Sequence, residues 1–238
     1  MSYFLSEQKI ALNKTISLSG EEARHMLLSR RMKIGELVKL QDPSGKRYTC
    51  SIEQVGKSEV TVVALAELTI PQELPIAVSM FLSAVSEKAL NFVFQKVTEL
   101  GATGIVLFNS QNTATKLAAE QFKKKEDRWN KILWEAAKQS DRGSISQLQF
   151  TPTLDSAIAQ ASLSDQVFVL DGLGNPLSNF NRSFKSCSIV IGPEGGFSSA
   201  ELQLVKSNPN NHIVSISPFT LRTETAAIAA LATIQAQI

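Results

Sequence analysis

Hydrophobic and polar residues alternate along much of the first 72 positions of the chain. Val38 and Leu40 are separated by a polar residue, and residues 48–52 repeat the pattern. One short helix fits residues 20–31. A period of two, interrupted by Gly and Pro turns, predicts several short antiparallel strands. We therefore expect residues 1–72 to form a small β-barrel-like domain.

The pattern changes after a linker at residues 70–75, which contains Pro71 and Pro75. Short apolar runs then alternate with longer stretches of helical period. The predicted strands are residues 76–82, 105–108, 167–170, 189–191 and 213–216, and the predicted helices are 88–100 and 117–140, the latter with Trp129, Leu133 and Ala136 facing inward. Because strands that alternate with helices usually pair in parallel, residues 73–238 are predicted to form an α/β domain with a mostly parallel sheet.

Three loops follow the last three predicted strands, at residues 171–174, 192–196 and 217–222. In open parallel sheets, ligands bind at the carboxyl ends of the strands. We therefore expect these three loops to converge on one binding site.

The loop Gly192–Gly196 carries the most information about the ligand. Its glycines allow close backbone approach, and Ser198 with Glu201 forms the capping box of a following helix. Such a loop often binds phosphate, but Glu194 places a negative charge inside it and no Lys-Ser/Thr pair follows. A neutral or cationic ligand such as S-adenosylmethionine fits better. The alternative is a tight turn with an exposed glutamate.

Arg222 and Glu224 stand at the start of the last predicted helix. A Glu near a helix N-terminus interacts favourably with the helix dipole, whereas an Arg does not. Arg222 is therefore the stronger candidate for a functional side chain. The helix that follows, residues 226–236, is almost entirely small and apolar, which predicts burial in the core or against a second subunit.

Composition excludes several classes of protein. The chain has 238 residues, a net charge of +2 and 43% hydrophobic residues, which suits a folded protein. Two distant cysteines, Cys50 and Cys187, are expected to be buried thiols, and with His25 and His212 they offer no zinc spacing. No signal peptide and no apolar run of membrane-spanning length is present, so we expect a soluble, cytoplasmic protein.

Basic residues cluster around positions 24–33 and 123–131. Charge runs are usually solvated surfaces, and contact with RNA is the alternative.

The motifs at 96–101, 128–142, 191–198 and 221–226, with His25, Arg31 and Gly35, resemble those of the RsmE family, ribosomal RNA small subunit methyltransferase E, of the SPOUT superfamily. The resemblance covers essentially the whole chain. It implies a PUA-like β-barrel over residues 1–72 and a SPOUT α/β domain with a trefoil knot over residues 73–238. It also implies a homodimer that needs no metal and uses S-adenosylmethionine to methylate N3 of one uridine in small-subunit (16S) ribosomal RNA, on the assembled small subunit.

The resemblance also implies roles for individual residues. The expected catalytic residues are Arg222, Glu194 and Glu224. The expected donor-binding residues are Leu170, Gly172, Ile191, Gly192, Glu194, Gly195, Gly196, Ile216, Ser217, Leu221 and Thr223. The expected RNA-binding residues are Arg24, Arg31, Lys33, Arg128 and Arg142.

The chain departs from the family pattern at Leu107, Asn112, Ile216-Ser217 and Phe219, where the family usually has Pro, Arg, Leu-Gly and Arg. Ser217 puts donor affinity in doubt, and Asn112 puts an RNA contact in doubt. Three alternatives to the RsmE reaction follow: a SPOUT methyltransferase acting on another RNA, a non-catalytic RNA-binding paralogue, and an enzyme that binds nucleotide phosphate at Gly192–Gly196.

The mechanism that these residues suggest begins with loss of the proton on uridine N3. The negative charge then spreads onto the ring oxygens, where Arg222 would stabilise it. Glu194 or Glu224 would accept the proton.

Overall fold

A computed structural model of the chain describes residues 3–180 and 184–237. These residues form two compact units. The first contains the residues up to Gln72 together with Lys138–Gly143, and the second contains Glu73–Ala137 and Ser144 onward. The sequence pattern did not indicate that Lys138–Gly143 would pack with the first unit.

The first unit is built on a curled sheet of five strands. They are β1 (Phe4–Leu5), β2 (Thr15–Leu18), β3 (Leu37–Gln41), β4 (Arg47–Val55) and β5 (Val60–Leu68), in the order β1-β3-β4-β5-β2. All neighbouring pairs are antiparallel except β1 with β3. The predicted alternation is confirmed, because Val38, Leu40, Cys50 and Ile52 are all buried on one face.

The helix predicted over residues 20–31 is shorter than expected. Helix α1 covers Gly20–Arg24, and a single π-helical turn, His25–Ser29, follows it. The amide of Arg30 donates to the carbonyl of His25 at 3.0 Å, which is the wider hydrogen bond of a π turn. Arg31 then adopts a φ of 52°, which ends the helical path.

A buried arginine organises the first unit. The guanidinium of Arg47 is 2% exposed and lies 3.8 Å from the ring centroid of Tyr3. Its Nε donates to Gln41 Oε1 at 2.8 Å, its Nη1 donates to the carbonyl of Asp141 at 2.6 Å, and its Nη2 donates to the carbonyl of Arg142. The carboxylate of Asp141 lies 3.5 Å from Nη1. Arg47 thus satisfies two backbone carbonyls of the segment Lys138–Gly143.

The second unit is an α/β fold with a six-stranded parallel sheet. Its strands are β6 (Ala77–Ser83), β7 (Gly104–Phe108), β8 (Gln147–Phe150), β9 (Gln166–Pro176), β10 (Ser186–Ile191) and β11 (Asn211–Ser215), in the order β11-β9-β10-β6-β7-β8. Its helices are α2 (Glu87–Glu99), α3 (Ala119–Gln139), α4 (Leu154–Ala161), α5 (Ser199–Lys206) and α6 (Thr223–Gln235), with a 3₁₀ turn at Leu177–Asn179. Strand β10 lies between β6 and β9, both of which precede it in sequence.

Both faces of the sheet are covered, which explains why its strands are apolar at successive positions. Met80 and Leu82 of β6 face one hydrophobic cluster with residues of α2, α3 and α6, whereas Phe81 faces a second cluster with residues of α4 and α5. The parallel sheet and the inward positions of Trp129, Leu133 and Ala136 are confirmed.

Strand β8 and helix α4 were not predicted. β8 has only four residues at the edge of the sheet, and α4 has only eight residues with four of them buried. Segments so short give little periodic signal.

The two cysteines are free and buried, as expected. Burial raises the pKa of the Cys50 thiol to about 11 and that of Cys187 to about 12. Within the described residues, no helix has the length and apolar character needed to cross a membrane.

We predict that Arg47→Ala destabilises the first unit by about 2–4 kcal/mol, because the backbone carbonyls of Asp141 and Arg142 lose their hydrogen-bond donor. Hydrogen exchange of the β3–β5 amides, measured through a urea titration, checks this value. The adjacent Lys46→Ala is the control, since Lys46 is exposed and ion-paired with Glu67. Equal effects of the two substitutions would contradict the role of Arg47.

Candidate functional site

Strand β9 leaves its partner β11 near the carboxyl end of the sheet. Val169 pairs with Ile213, but the next residue of β11, Val214, pairs with Asn175. Residues 170–174 of β9 therefore have no partner in β11, and we call this segment the β9 excursion. The amide of Leu173 donates to Asp171 Oδ1 at 2.9 Å, which gives the excursion an Asx turn.

Gly174 allows β9 to rejoin β11 after the excursion. A Cβ atom at residue 174 would lie 2.5 Å from three backbone atoms of Val214. Side chains do not approach backbone this closely, so a residue without a side chain is needed here. By contrast, a Cβ at Gly172 would meet nothing within 4 Å.

The Gly-rich loop lies between β10 and α5. The amide of Gly196 donates to the carbonyl of Pro193 at 2.9 Å, and Gly196 has a φ of 67°. The predicted capping box is confirmed: Ser198 Oγ accepts from the amide of Glu201, and Glu201 Oε2 accepts from the amide of Ser198 at 2.8 Å. Helix α5 thus begins at a fixed position relative to the loop.

The third loop runs from β11 to α6. Ser217 Oγ accepts from the amide of Phe219 at 3.0 Å, which closes a short turn. Among the described residues, 217 is not one with a positive φ, so Ser is accommodated where the family pattern has Gly. Thr223 Oγ1 donates to the carbonyl of Gly192 at 3.2 Å and joins the start of α6 to the Gly-rich loop.

These three loops enclose a cavity of about 380 Å³. The predicted convergence is therefore present in the structure. The cavity is lined by Leu170, Asp171, Gly172, Leu173, Ile191, Gly192, Pro193, Glu194, Gly196, Val214, Ser215, Ile216, Ser217, Pro218, Phe219, Thr220, Leu221, Thr223 and Ala226. Among these described lining residues, the charged ones are Asp171 and Glu194, and both are acidic.

Most of the expected donor-binding residues line this cavity, but Gly195 does not. Gly195 instead faces the loop that follows β7: a Cβ there would lie 3.2 Å from Asn112 Cβ. Asn112 Nδ2 donates to the carbonyls of Gly195 and Gly196 at 3.3 and 3.2 Å. Asn112, which stands where the family usually has Arg, therefore holds the Gly-rich loop.

Arg222 and Glu224 lie beside the cavity but are outside its lining. Arg222 is the N-cap residue of α6, its side chain is 84% exposed, and its Nη1 lies 4.0 Å from Glu224 Oε1. It makes no capping hydrogen bond. This guanidinium extends into solvent from a backbone position next to Thr223, which is bonded to the Gly-rich loop.

The residues expected to bind RNA have different environments. Arg24, Arg31 and Lys33 are exposed in the first unit. Arg128 is exposed in the second unit and forms an ion pair with Glu87 at 2.5 Å. Arg142 is 7% exposed. This low exposure leaves little of the Arg142 side chain at the surface, and its contact with RNA stays a prediction.

No group of three or more His, Cys, Asp or Glu side chains that could hold a metal ion occurs in the described part of the chain.

Comparison with known proteins identifies the family. Residues 72–235 match the model of the RNA methyltransferase domain, and residues 18–65 match that of the RNA methyltransferase PUA domain. Ribosomal RNA small subunit methyltransferase E of Bacillus subtilis is 30% identical over 98% of this chain and 94% of its own length. The chain belongs to the RsmE family.

Other RsmE relatives agree. The Aquifex aeolicus enzyme is 29% identical and covers 96% of each chain. A solved structure of RsmE from Neisseria gonorrhoeae bound to S-adenosylmethionine has a TM-score of 0.82 and 25% identity, covering 100% of this chain and 98% of that one. A Legionella pneumophila protein described as a methyltransferase, in complex with the same cofactor, has a TM-score of 0.83 and 28% identity, covering 99% and 97%. The expected α/β fold, a parallel-sheet methyltransferase domain preceded by a PUA domain, is confirmed.

The roles that several residues play in the site were not predicted from the sequence. Asp171 lines the cavity, Gly174 sets the return of the β9 excursion, and Asn112 and Glu201 hold the Gly-rich loop. Glu201 Oε1 accepts from the amide of Gln111 at 2.7 Å in addition to its capping role. The Asp-Gly-Leu-Gly sequence at 171–174 was a local signal for the excursion. The contact of Asn112 with a loop more than 80 positions away gives no signal in the local sequence.

We predict that Gly174→Ala lowers the melting temperature of the protein by roughly 3–10 °C, because overpacking of this kind costs about 1–3 kcal/mol. Gly172→Ala, in the same excursion with open space around it, is expected to melt within about 2 °C of wild type. Differential scanning calorimetry of both variants measures the difference. If Gly174→Ala melts like Gly172→Ala, the close approach to Val214 does not constrain the excursion.

Proposed function

We propose that this chain transfers a methyl group from S-adenosylmethionine to N3 of a uridine in small-subunit ribosomal RNA and that it acts on the assembled small subunit. One observation carries the proposal: in an RsmE-family chain, three loops enclose a ligand-sized cavity whose charged described lining residues are both acidic. RsmE relatives and the SAM-bound structures supply the reaction class.

The cavity suits the proposed donor in size and chemistry. A volume of about 380 Å³ lies within the usual range for small-molecule sites. Leu170, Ile191, Ile216 and Leu221 provide apolar walls for a flat base, and the backbone of the loops offers hydrogen-bonding groups. The sulfonium of the bound donor supplies the activated methyl group. A phosphate ligand would meet the carboxylates of Glu194 and Asp171 without a cationic lining residue among those described.

Arg222 is the proposed stabiliser of the acceptor base. Once the N3 proton has left, negative charge develops on the uracil oxygens, and an adjacent guanidinium lowers the energy of that state. The exposed side chain of Arg222 starts from a backbone position fixed by the Thr223–Gly192 hydrogen bond. Glu194 or Glu224 accepts the N3 proton in this proposal. The target base is turned out of the folded RNA before it reaches the cavity.

Recruitment of the RNA is assigned to exposed cations of the first unit. Arg24, Arg31 and Lys33 lie at exposed positions within or just after the helical segment of residues 20–29. Cations of this kind bind phosphates without reading sequence, so they position the substrate rather than select the base. The homodimer expected from the resemblance stays a prediction.

The proposed target is tested by mass mapping of ribosomal RNA from cells with and without this gene. We expect one monomethylated uridine of the small-subunit RNA to lose its N3 methyl group in the deletion strain. The purified protein should restore it on isolated small subunits, with far less product on naked RNA. Loss of a methyl group from large-subunit or transfer RNA would instead support a SPOUT methyltransferase with another substrate, and no loss at all would support a non-catalytic paralogue.

We predict that Arg222→Ala lowers the rate of methyl transfer to small subunits by about 100-fold or more, the usual cost of losing a transition-state charge partner. Binding of S-adenosylmethionine should change little, because Arg222 is outside the cavity lining. Single-turnover methylation and calorimetry separate the two effects. Lys206→Ala removes an exposed cation of α5 and serves as the control. Wild-type turnover by Arg222→Ala would remove this residue from the mechanism.

A further inference from the structure

Asp171 occupies a distinctive position in the cavity. It lies in the β9 excursion, directly after Leu170, and it lines the cavity together with Glu194. One carboxylate oxygen, Oδ1, accepts from the amide of Leu173 at 2.9 Å. Neither the resemblance nor the comparisons assign this side chain a role.

The charged side chains that line the cavity all have the same sign. Asp171 and Glu194 come from two different loops, and no Lys, Arg or His is found among the lining residues that the structure describes. A negative cavity stabilises a bound cation and does nothing comparable for a neutral molecule of the same shape. The two molecules that exchange at this site differ in that respect. The methyl donor carries a positive sulfonium, whereas the product, S-adenosylhomocysteine, has a neutral thioether and lacks one methyl group.

We propose that Asp171 is a specificity-determining residue that makes the cavity prefer the positively charged methyl donor over its neutral product. The inference rests on the proposed function. Adenosine and the amino acid moiety are common to donor and product, so contacts to them contribute equally to both affinities. The charge of Asp171 acts on the sulfonium, which only the donor has. The methyl transfer itself removes this attraction, so the product leaves more readily than the donor it came from.

Two substitutions of Asp171 distinguish the effect of its charge from its structural role in the Asx turn. In Asp171→Asn the amide oxygen can still accept from the amide of Leu173, so the turn is retained while the charge is lost. In Asp171→Ala both are lost. If Asp171 acts only through the turn, Asp171→Asn should bind both ligands like the wild-type protein, whereas Asp171→Ala should bind them more weakly.

The test is isothermal titration calorimetry of the full-length protein with S-adenosylmethionine and with S-adenosylhomocysteine. For Asp171→Asn we expect affinity for the donor to fall about fivefold, as for a half-exposed charge pair, with a change of less than about twofold for the product. The donor-to-product affinity ratio should also fall as salt is added to the wild-type protein, because salt screens the attraction. Asp127→Asn makes the same chemical change at an exposed position of α3 outside the cavity and should leave the ratio unchanged.

The outcomes distinguish this inference from the proposed function. If wild type binds both ligands and Asp171→Asn leaves the ratio unchanged, or weakens both ligands equally, the charge of Asp171 does not select the donor, while the methyltransferase proposal stands. If wild type binds neither ligand, the proposed function itself fails. Sinefungin, in which a carbon bearing a protonated amine replaces the methylated sulfur, provides a further check: its affinity should fall with that of the donor in Asp171→Asn.

Discussion

The close approach of two backbones, at Gly174 and Val214, is the constraint on which the candidate site depends. Because residue 174 has no side chain, β9 can leave β11 after Val169 and rejoin it at Asn175. The segment between them forms one wall of the cavity. The Gly-rich loop and the loop before α6 form the others, and the Thr223–Gly192 hydrogen bond joins those two. The cavity therefore results from an interruption of strand pairing rather than from the regular sheet.

The other supports of the Gly-rich loop come from outside the cavity. Glu201 accepts hydrogen bonds from the amides of both Ser198 and Gln111, and Asn112 bonds to the carbonyls of Gly195 and Gly196. These contacts come from residues outside the cavity lining. Residue 112 therefore supports the Gly-rich loop through its side-chain amide.

The sequence predicted the parts of the structure that depend on local pattern. Each of the confirmed patterns involves residues that are close together in sequence. They are the alternation around Val38 and Leu40, the apolar runs of the parallel sheet and the Ser198–Glu201 capping box. The parts that it did not predict depend on partners distant in sequence. The four residues of β8 are recognisable as a strand only through their pairing with β7. Likewise, nothing in the local sequence indicates that Arg142 is buried. Asp171 belongs to the same group, because its significance depends on Glu194 in another loop.

The assignment of Lys138–Gly143 to the first unit changes how the chain can be divided. The polypeptide passes from the first unit to the second, returns for six residues and passes back again. A cut at the proline-containing linker would therefore not yield two self-sufficient fragments: the longer one would keep the carbonyls of Asp141 and Arg142 but lose the arginine that binds them. The first unit is therefore not a single contiguous stretch of the chain. Recombination between relatives keeps the hydrogen bonds of Arg47 only when the residues up to Gln72 and the segment Lys138–Gly143 are transferred together.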